Sequence, residues 1–461
     1  MLIMRLSGLL SKIAVARYIS PYEYGIITLI TISLPAMFQY ITNFCLYDVL
    51  SHSKEGRNYF GFAILFTLSG SVLIVSGVFL FHEAFFNFLN LPLESWKILF
   101  LAFTLFFVPT VIIGDIIGLY RGLKKYAKAS VLSSSPPVLK LSLILTVVCI
   151  LGRADFIFVL IIFAIPPLIA LFITLIKDRE IIVSSLNFMV PSKKIFFFGT
   201  SIFVVNLFGG LNQIFNKIVV SHDLGVVWQG YFDVSLTLVA ILSFPLVAMQ
   251  FISIPEATSA ENEGEDTTHG DLNEVIRGLF SFLIFCTLLL CFYNQEFVEL
   301  LFGHKYLAAA DYVPILAVGY IFLFVQQFLA YMNVSSRDPK EYKPLMYVTL
   351  ICLVASPLVT HAFIKLTGFL GVYLSFTSFL IIYTTATILS SPDLSPVRAL
   401  FYKIDRLIIT SLVTSFFLYL FGEISFSCGV MSSSIIFTLL IFFLRYLDKR
   451  LIIEMFVAKE I

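Results

Sequence analysis

Charge is what this sequence has least of. Asp, Glu, Lys and Arg make up 13% of its 461 residues, about half the share of an ordinary soluble domain, so a chain this long has too little charge for a water-facing surface. Neither sign is in excess, with 29 acids against 30 Lys and Arg and a formal net charge of +1. That balance excludes a nucleic-acid partner, because a basic face would have to be drawn from residues already committed to segment boundaries. Cysteine is sparse too. Cys45, Cys149, Cys286, Cys291, Cys352 and Cys428 stand in apolar surroundings without a C-x-x-C spacing, which reads as small buried hydrophobes rather than a disulfide framework or metal site. The G-x-x-x-x-G-K-[ST] spacing of a phosphate-binding loop is absent, so no nucleotide hydrolysis is expected, and no cofactor or metal.

Apolar length is present instead. The chain is 59% hydrophobic with 50 phenylalanines, and its mean hydropathy is +0.97. Runs of about 20 apolar residues, enough to cross roughly 30 Å of hydrocarbon, fall at 2–19, 24–49, 60–81, 98–118, 129–150, 156–176, 195–220, 226–254, 278–300, 311–332, 344–361, 366–389, 407–422 and 427–445. These fourteen runs predict an all-α, polytopic membrane protein. Twelve or thirteen spans are the alternatives, since the first run is polar for its length and 407–422 is short. Lys12 and Arg17 interrupt the first run, and "SPYEYG" lacks a small-residue cleavage pattern, so it reads as a transmembrane helix rather than a signal peptide.

The basic residues orient the set. If the N-terminus is cytoplasmic, the outer connections hold only Lys97, Arg153, Lys217, Lys305 and Lys365, and the other loop lysines and arginines fall inside. This satisfies the positive-inside rule and places both termini in the cytoplasm. The acidic stretch "ENEGEDTTHGDLNE", Glu261 to Glu274, then reads as an inner, flexible linker. "KIAVARYISPYEYG" at Lys12 and "KIVVSHDLG" at Lys217 share a K-I-x-V opening and a polar turn closing on glycine. They suggest two six-helix lobes, 1–190 and 191–392, related as parallel repeats, with 393–461 adding spans thirteen and fourteen and a tail. Prolines within or near spans, among them Pro35, Pro109, Pro136, Pro137, Pro166, Pro167 and Pro245, loosen the helical ladder where moving bundles would bend.

Four stretches together carry a resemblance: "KIAVARYISPYEYGIITL" from Lys12, "GLYRGLKKYAKASVLSS" from Gly118, "SHDLGVVWQGYFDVSLTLVAILSFPLVAMQFISIPEATS" from Ser221, and "LFGHKYLAAADYVPILAVGY" from Leu301. In this order they resemble the polysaccharide flippases, or Wzx-type O-antigen transporters, of the superfamily that also holds the MATE drug exporters and the lipid II flippases. The resemblance implies a two-lobed, alternating-access transporter in the cell membrane. It would carry an isoprenoid-diphosphate-linked oligosaccharide from the inner to the outer leaflet, with membrane lipids around it and a polysaccharide polymerase or glycosyltransferases as protein partners.

Candidate site residues follow from cost. A charge at mid-bilayer is expensive unless it faces a polar cavity or a partner, so Arg5, Lys12, Arg17, Lys140 and Lys217 are candidates for a diphosphate. Arg17 leads this set, because a guanidinium grips phosphate oxygens as a rigid fork and the related flippases carry an arginine near the outer end of their first helix. Salt bridging for Lys12 or Lys140 and snorkelling for Arg5 or Lys217 are the alternatives. Asp48, Asp115, Asp233 and Glu256 are candidates for sodium or proton coupling, and Asn206, Asn212, Gln213 and Gln250 for sugar hydroxyls. A drug exporter would prefer an acidic cavity for cationic cargo. A membrane enzyme would need a clustered acidic or histidine centre, which the longest outer loop, with His82, Glu83 and Glu94, does not evidently form.

Overall fold

A computed structural model supplies the fold, describing residues 2–52, 56–151, 155–245, 268–335, 339–391, 395–422, 425–444 and 446. Its long helices are α1 (Leu2–Tyr18), α2 (Pro21–Asn43), α3 (Phe60–Leu80), α4 (Trp96–Gly122), α5 (Tyr126–Leu151), α6 (Phe156–Lys177), α7 (Lys193–Leu224), α8 (Val226–Ser243), α9 (Thr268–Phe292), α10 (Val313–Ser335), α11 (Pro339–Thr367), α12 (Leu370–Ser390), α13 (Ile404–Gly422) and α14 (Phe426–Phe443). All fourteen expected spans thus have a helix. Among the described residues, twelve helices are long and apolar enough to cross a membrane, so this is a multi-pass membrane protein. The two long helices outside that set are α1, 17 residues with three cations, and α7, 32 residues with several amides and Lys217. Both are polar where the site lies.

The acidic connection is shorter than its composition suggests. From Thr268 onward the stretch expected to be linker belongs to α9. Residues 246–267 lie outside the described residues.

Local chemistry sets the boundaries. Ser20 caps α2 in a reciprocal box with Glu23, and Pro21 occupies the first helical position, where its missing N–H costs nothing. Inside α2, Leu29–Ser33 form a π turn in which the Leu34 N–H donates to the Leu29 carbonyl, immediately before Pro35. Proline cannot donate to the carbonyl four residues back, and widening the preceding turn accommodates that loss. The helix ends at Phe44, whose φ of 34° lies in the left-handed region that non-glycine residues seldom occupy. Its ring is held against Phe203 and Phe196, at 5.0 and 5.9 Å between centroids.

The chain divides into two compact units, one of residues 1–237, 301–308 and 349–376, the other of 238–300, 309–348 and 377–461. In the first, α4 is the central element, packed by α2, α3, α5, α6 and the short helix Leu46–His52, while α1 lies along α5. In the second, α13 pairs with α14, and α9 packs on α10 and α13. There Thr377 and Thr384 of α12 donate to the Ile315 and Phe322 carbonyls of α10 at 3.0 and 2.9 Å.

Candidate functional site

The first unit buries one carboxylate among several donors. Gly225, with a φ of 94°, turns the chain from α7 into α8, a conformation that favours glycine. Two further glycines let the start of α8 meet the start of α2 at backbone distance: a Cβ on Gly25 would lie 2.3 Å from the Val226 carbonyl oxygen, and one on Gly230 would lie 2.3 Å from that of Pro21. This close approach carries Asp233 of α8 to Tyr24 of α2, whose hydroxyl donates to Oδ2 at 2.9 Å.

Asp233 is fully buried. Lys12 of α1 donates to both of its oxygens, at 3.0 and 3.2 Å, and to Thr237 Oγ1 at 3.2 Å. Lys217 of α7 donates to Oδ1, and Thr237 adds a 3.4 Å contact. The two lysines that open the repeated K-I-x-V motifs therefore share one acid. Lys140 of α5 lies within electrostatic reach of Lys12 and Asp233, its ammonium 4.4 Å from the Phe163 ring centroid. Three lysines stand around one aspartate, so the basic groups outnumber their anion there. Burying ions costs several kcal/mol each unless their partners and hydrogen bonds compensate, and here Asp233 has every oxygen engaged while the lysines outnumber it.

Beside this cluster runs a neutral polar ladder. Ser356 of α11 donates to Asn212 Oδ1, Asn216 Nδ2 donates to the same oxygen at 3.0 Å, and Thr360 donates to Asn216 Oδ1 at 2.6 Å. Thr360 also meets Ser375 of α12 at 2.6 Å, and Ser235 of α8 meets the Tyr373 hydroxyl at 3.0 Å. Among the described residues, Asn212 Nδ2 is a buried donor without an acceptor.

The remaining candidates separate. Arg17 is exposed, and its Nε donates to the Leu301 carbonyl at 2.9 Å. At about 100° per residue it is rotated about 140° from Lys12 around α1, whereas Arg5, seven residues earlier, shares the Lys12 face. Lys305 pins the α1–α2 turn through the Arg17 carbonyl at 3.1 Å and the Ile19 carbonyl. Gln213 follows Asn212 on α7, half-buried. Asp115 of α4 is buried apart from the lysines, accepting from Asn43 of α2. The side chains of Asp48 and Asn206, and all of Gln250 and Glu256, lie outside the described residues. Among the described residues no group of three His, Cys, Asp or Glu side chains could hold a metal ion.

Sequence reading missed Tyr24, Asn216, Ser356, Thr360 and Ser375. The usable signal was spacing: Asn212 and Asn216 on one helix, and Ser356 and Thr360 on another, are each four residues apart and so share a helical face.

Residues 14–311 match the family model described as polysaccharide biosynthesis protein. None of the curated proteins matches the chain. Among solved structures, the lipid II flippase MurJ in an inward closed conformation is similar over 96% of this chain and 97% of its own, with 15% identity and a TM-score of 0.70. An inward-facing multidrug resistance MATE family transporter of the MOP superfamily is similar over 88% and 95%, with 12% identity and a TM-score of 0.59. A MATE structure in complex with MaD3S aligns over the same shares at 12% identity and a TM-score of 0.54. At these identities the likeness shows the fold, an all-α polytopic membrane architecture.

Proposed function

Because the chain belongs to the polysaccharide biosynthesis protein family, as the match over residues 14–311 shows, we propose that it is a flippase. It moves an isoprenoid-diphosphate-linked oligosaccharide from the inner to the outer leaflet by alternating access. The carrying observation is the excess of lysines, Lys12, Lys140 and Lys217, around the buried Asp233. A diphosphate brings the two negative charges that this excess lacks, and phosphate oxygens take the same ammonium hydrogen bonds that Asp233 now accepts.

In this reading residues 1–190 and 191–392 are the moving lobes, and the Lys12 to Asp233 pair ties one to the other. Incoming phosphates compete with Asp233 for Lys12 and Lys217, so cargo binding weakens the tie as it forms. The Asn212 ladder offers donors and acceptors to sugar hydroxyls beside the headgroup. Arg17 and Arg5, set apart from the cluster on α1, act as approach or release contacts. With both termini cytoplasmic, the α1–α2 and α7–α8 turns lie at the outer face. Carrying two negative charges outward across 100 mV, negative inside, releases about 4.6 kcal/mol, so the potential can drive the step.

Reconstitution in liposomes tests the reading. Outward movement of a defined lipid-diphosphate oligosaccharide, and none of a cationic drug, is expected. Drug export without glycan-lipid movement would favour the exporter reading, and glycan elongation would favour an enzyme. Cysteines introduced at Lys124 and Glu94 test the orientation, the first expected to resist and the second to react with an impermeant reagent added outside.

A further inference from the structure

The connection between α6 and α7 is fastened to the rest of the first unit and turns its apolar side chains outward. It begins with the short helix Arg179–Ser184 and runs on without regular structure to Ser192. Asp178, just past the end of α6, accepts from the Tyr120 hydroxyl in the last turn of α4 at 2.7 Å and pairs with Lys128 in the first turn of α5. Arg57, just before α3, donates through Nη2 to the Ser184 carbonyl and hydroxyl, each at 3.1 Å. The Gly61 N–H in the first turn of α3 donates to the Asn187 carbonyl at 2.8 Å. That approach requires glycine, since a Cβ on Gly61 would lie 2.7 Å from the same oxygen. Four membrane-crossing helices, α3 to α6, begin or end at this level, so the connection lies where the spans meet the membrane boundary.

Its protein-facing side is short, with Ile182, Ser185 and Pro191 buried. Its other side is apolar and open: Phe188, Met189 and Val190 are 61, 52 and 69% exposed, and Val183 and Leu186 are exposed with them. Five such side chains in eight residues are too many for a turn washed by water, and the run is too short to cross a bilayer. Phe172, Ile173 and Ile176, on the last two turns of α6, are exposed as well, so the lipid-facing surface of that span leads along the chain into the connection. Lys177, Arg179 and Lys193 are exposed at its two ends, against the exposed acid Glu180.

We propose that residues 183–190 form a lipid-binding anchor: their apolar side chains enter the headgroup and upper acyl region of the adjacent leaflet, and Lys177, Arg179 and Lys193 pair with anionic lipid phosphates. Apolar side chains at this boundary are buried by lipid rather than by protein, and basic side chains beside them extend their charged ends to the headgroups. A segment bonded through its backbone to the first turn of a span cannot stand off into water, which is why lipid is the partner. Ser192 leads directly into Lys193 of α7, so the anchor sets the depth at which that long helix starts. The inference is independent of the cargo and of which side of the membrane this end faces.

Tryptophan fluorescence of the full chain in lipid nanodiscs tests it. Phe188→Trp and Val190→Trp each exchange one exposed apolar side chain for another, and the difference spectrum against wild type isolates the new indole from Trp96 and Trp228. In discs containing phosphatidylglycerol the added emission should lie to the blue of free tryptophan. Lipids brominated near the headgroup end of their chains should quench it strongly, and lipids brominated near the methyl end, or acrylamide in the water, only weakly. Emission like that of free tryptophan, with strong acrylamide quenching, would overturn the proposal by placing the segment in water. Blue-shifted emission that brominated lipids leave unchanged would overturn it as well, because protein would then cover this face. Lys177→Gln, Arg179→Gln and Lys193→Gln together should lower lipid quenching in phosphatidylglycerol discs to the level seen in phosphatidylcholine, and equal quenching in the two lipids with the native basic residues would overturn the phosphate pairing.

Discussion

Asp233 and Asp115 are the same residue type, equally buried in the same unit, and their surroundings have opposite character. Around Asp233, four donors from α1, α2, α7 and α8 converge on two oxygens; around Asp115, one amide serves one oxygen and the other has no partner among the described residues. Burial alone does not assign a role to a membrane carboxylate. Its partners do, making the first acid a tie between cations and leaving the second held by a single amide.

The sharpest way to break this contrast is to remove each acid in turn. Asp233→Ala leaves Lys12 and Lys217 buried without their shared anion, and loss of one partner from a buried ion pair costs about 3 to 5 kcal/mol. The melting temperature in detergent should fall steeply, while Asp115→Asn should change it little. Equal effects would mean that the two acids are alike after all. Next in size are Lys12→Met and Lys217→Met, each expected to lower glycan-lipid flipping at equal expression by about tenfold, equivalent to about 1.4 kcal/mol. Arg17→Ala should lower it by no more than about twofold, equivalent to about 0.5 kcal/mol, since its side chain is exposed and turned away from the lysine face. A larger loss for Arg17 than for Lys12 would move the phosphate site to the end of α1.

The smallest effect belongs to a third aspartate, at the water-facing end of α6. Burial works to raise the Asp178 carboxyl, but hydrogen bonds from Lys128 and from the Tyr120 hydroxyl, the latter at 2.7 Å, outweigh it and hold the group below its ordinary range. A lowered native value stabilises the fold at neutral pH, and that contribution is lost as pH falls through the native value. Tyr120→Phe should therefore cost about 0.3 kcal/mol or less at pH 7, with the difference from wild type shrinking toward pH 3 in thermal melts.

Hydropathy made the spans legible because each must satisfy its backbone internally and face lipid. Lys12, Lys217 and Asp233 were legible as costly charges. That they meet was not, since Lys12 and Asp233 lie 221 residues apart in sequence and pairing depends on which helix faces turn toward each other. Arg17 stood out for its chemistry, yet a guanidinium at a helix end reaches the nearest carbonyl, and only its angular position around α1 separates it from the lysine face. The hydroxyl ladder stayed hidden because serine and threonine are common in apolar helices, where most donate to their own backbone one turn back.

The distance between Lys12 and its anion has a consequence for biogenesis. At 5 to 20 residues per second of synthesis, the 221 residues that separate them take roughly 10 to 40 s to emerge. On the fourteen-span reading the first helix therefore enters the bilayer carrying an ammonium whose counter-charge does not yet exist. Until α8 arrives, Lys12 has to be sheltered at the insertion machinery or reach for the headgroups, so its pairing with Asp233 waits until half of the chain has been made.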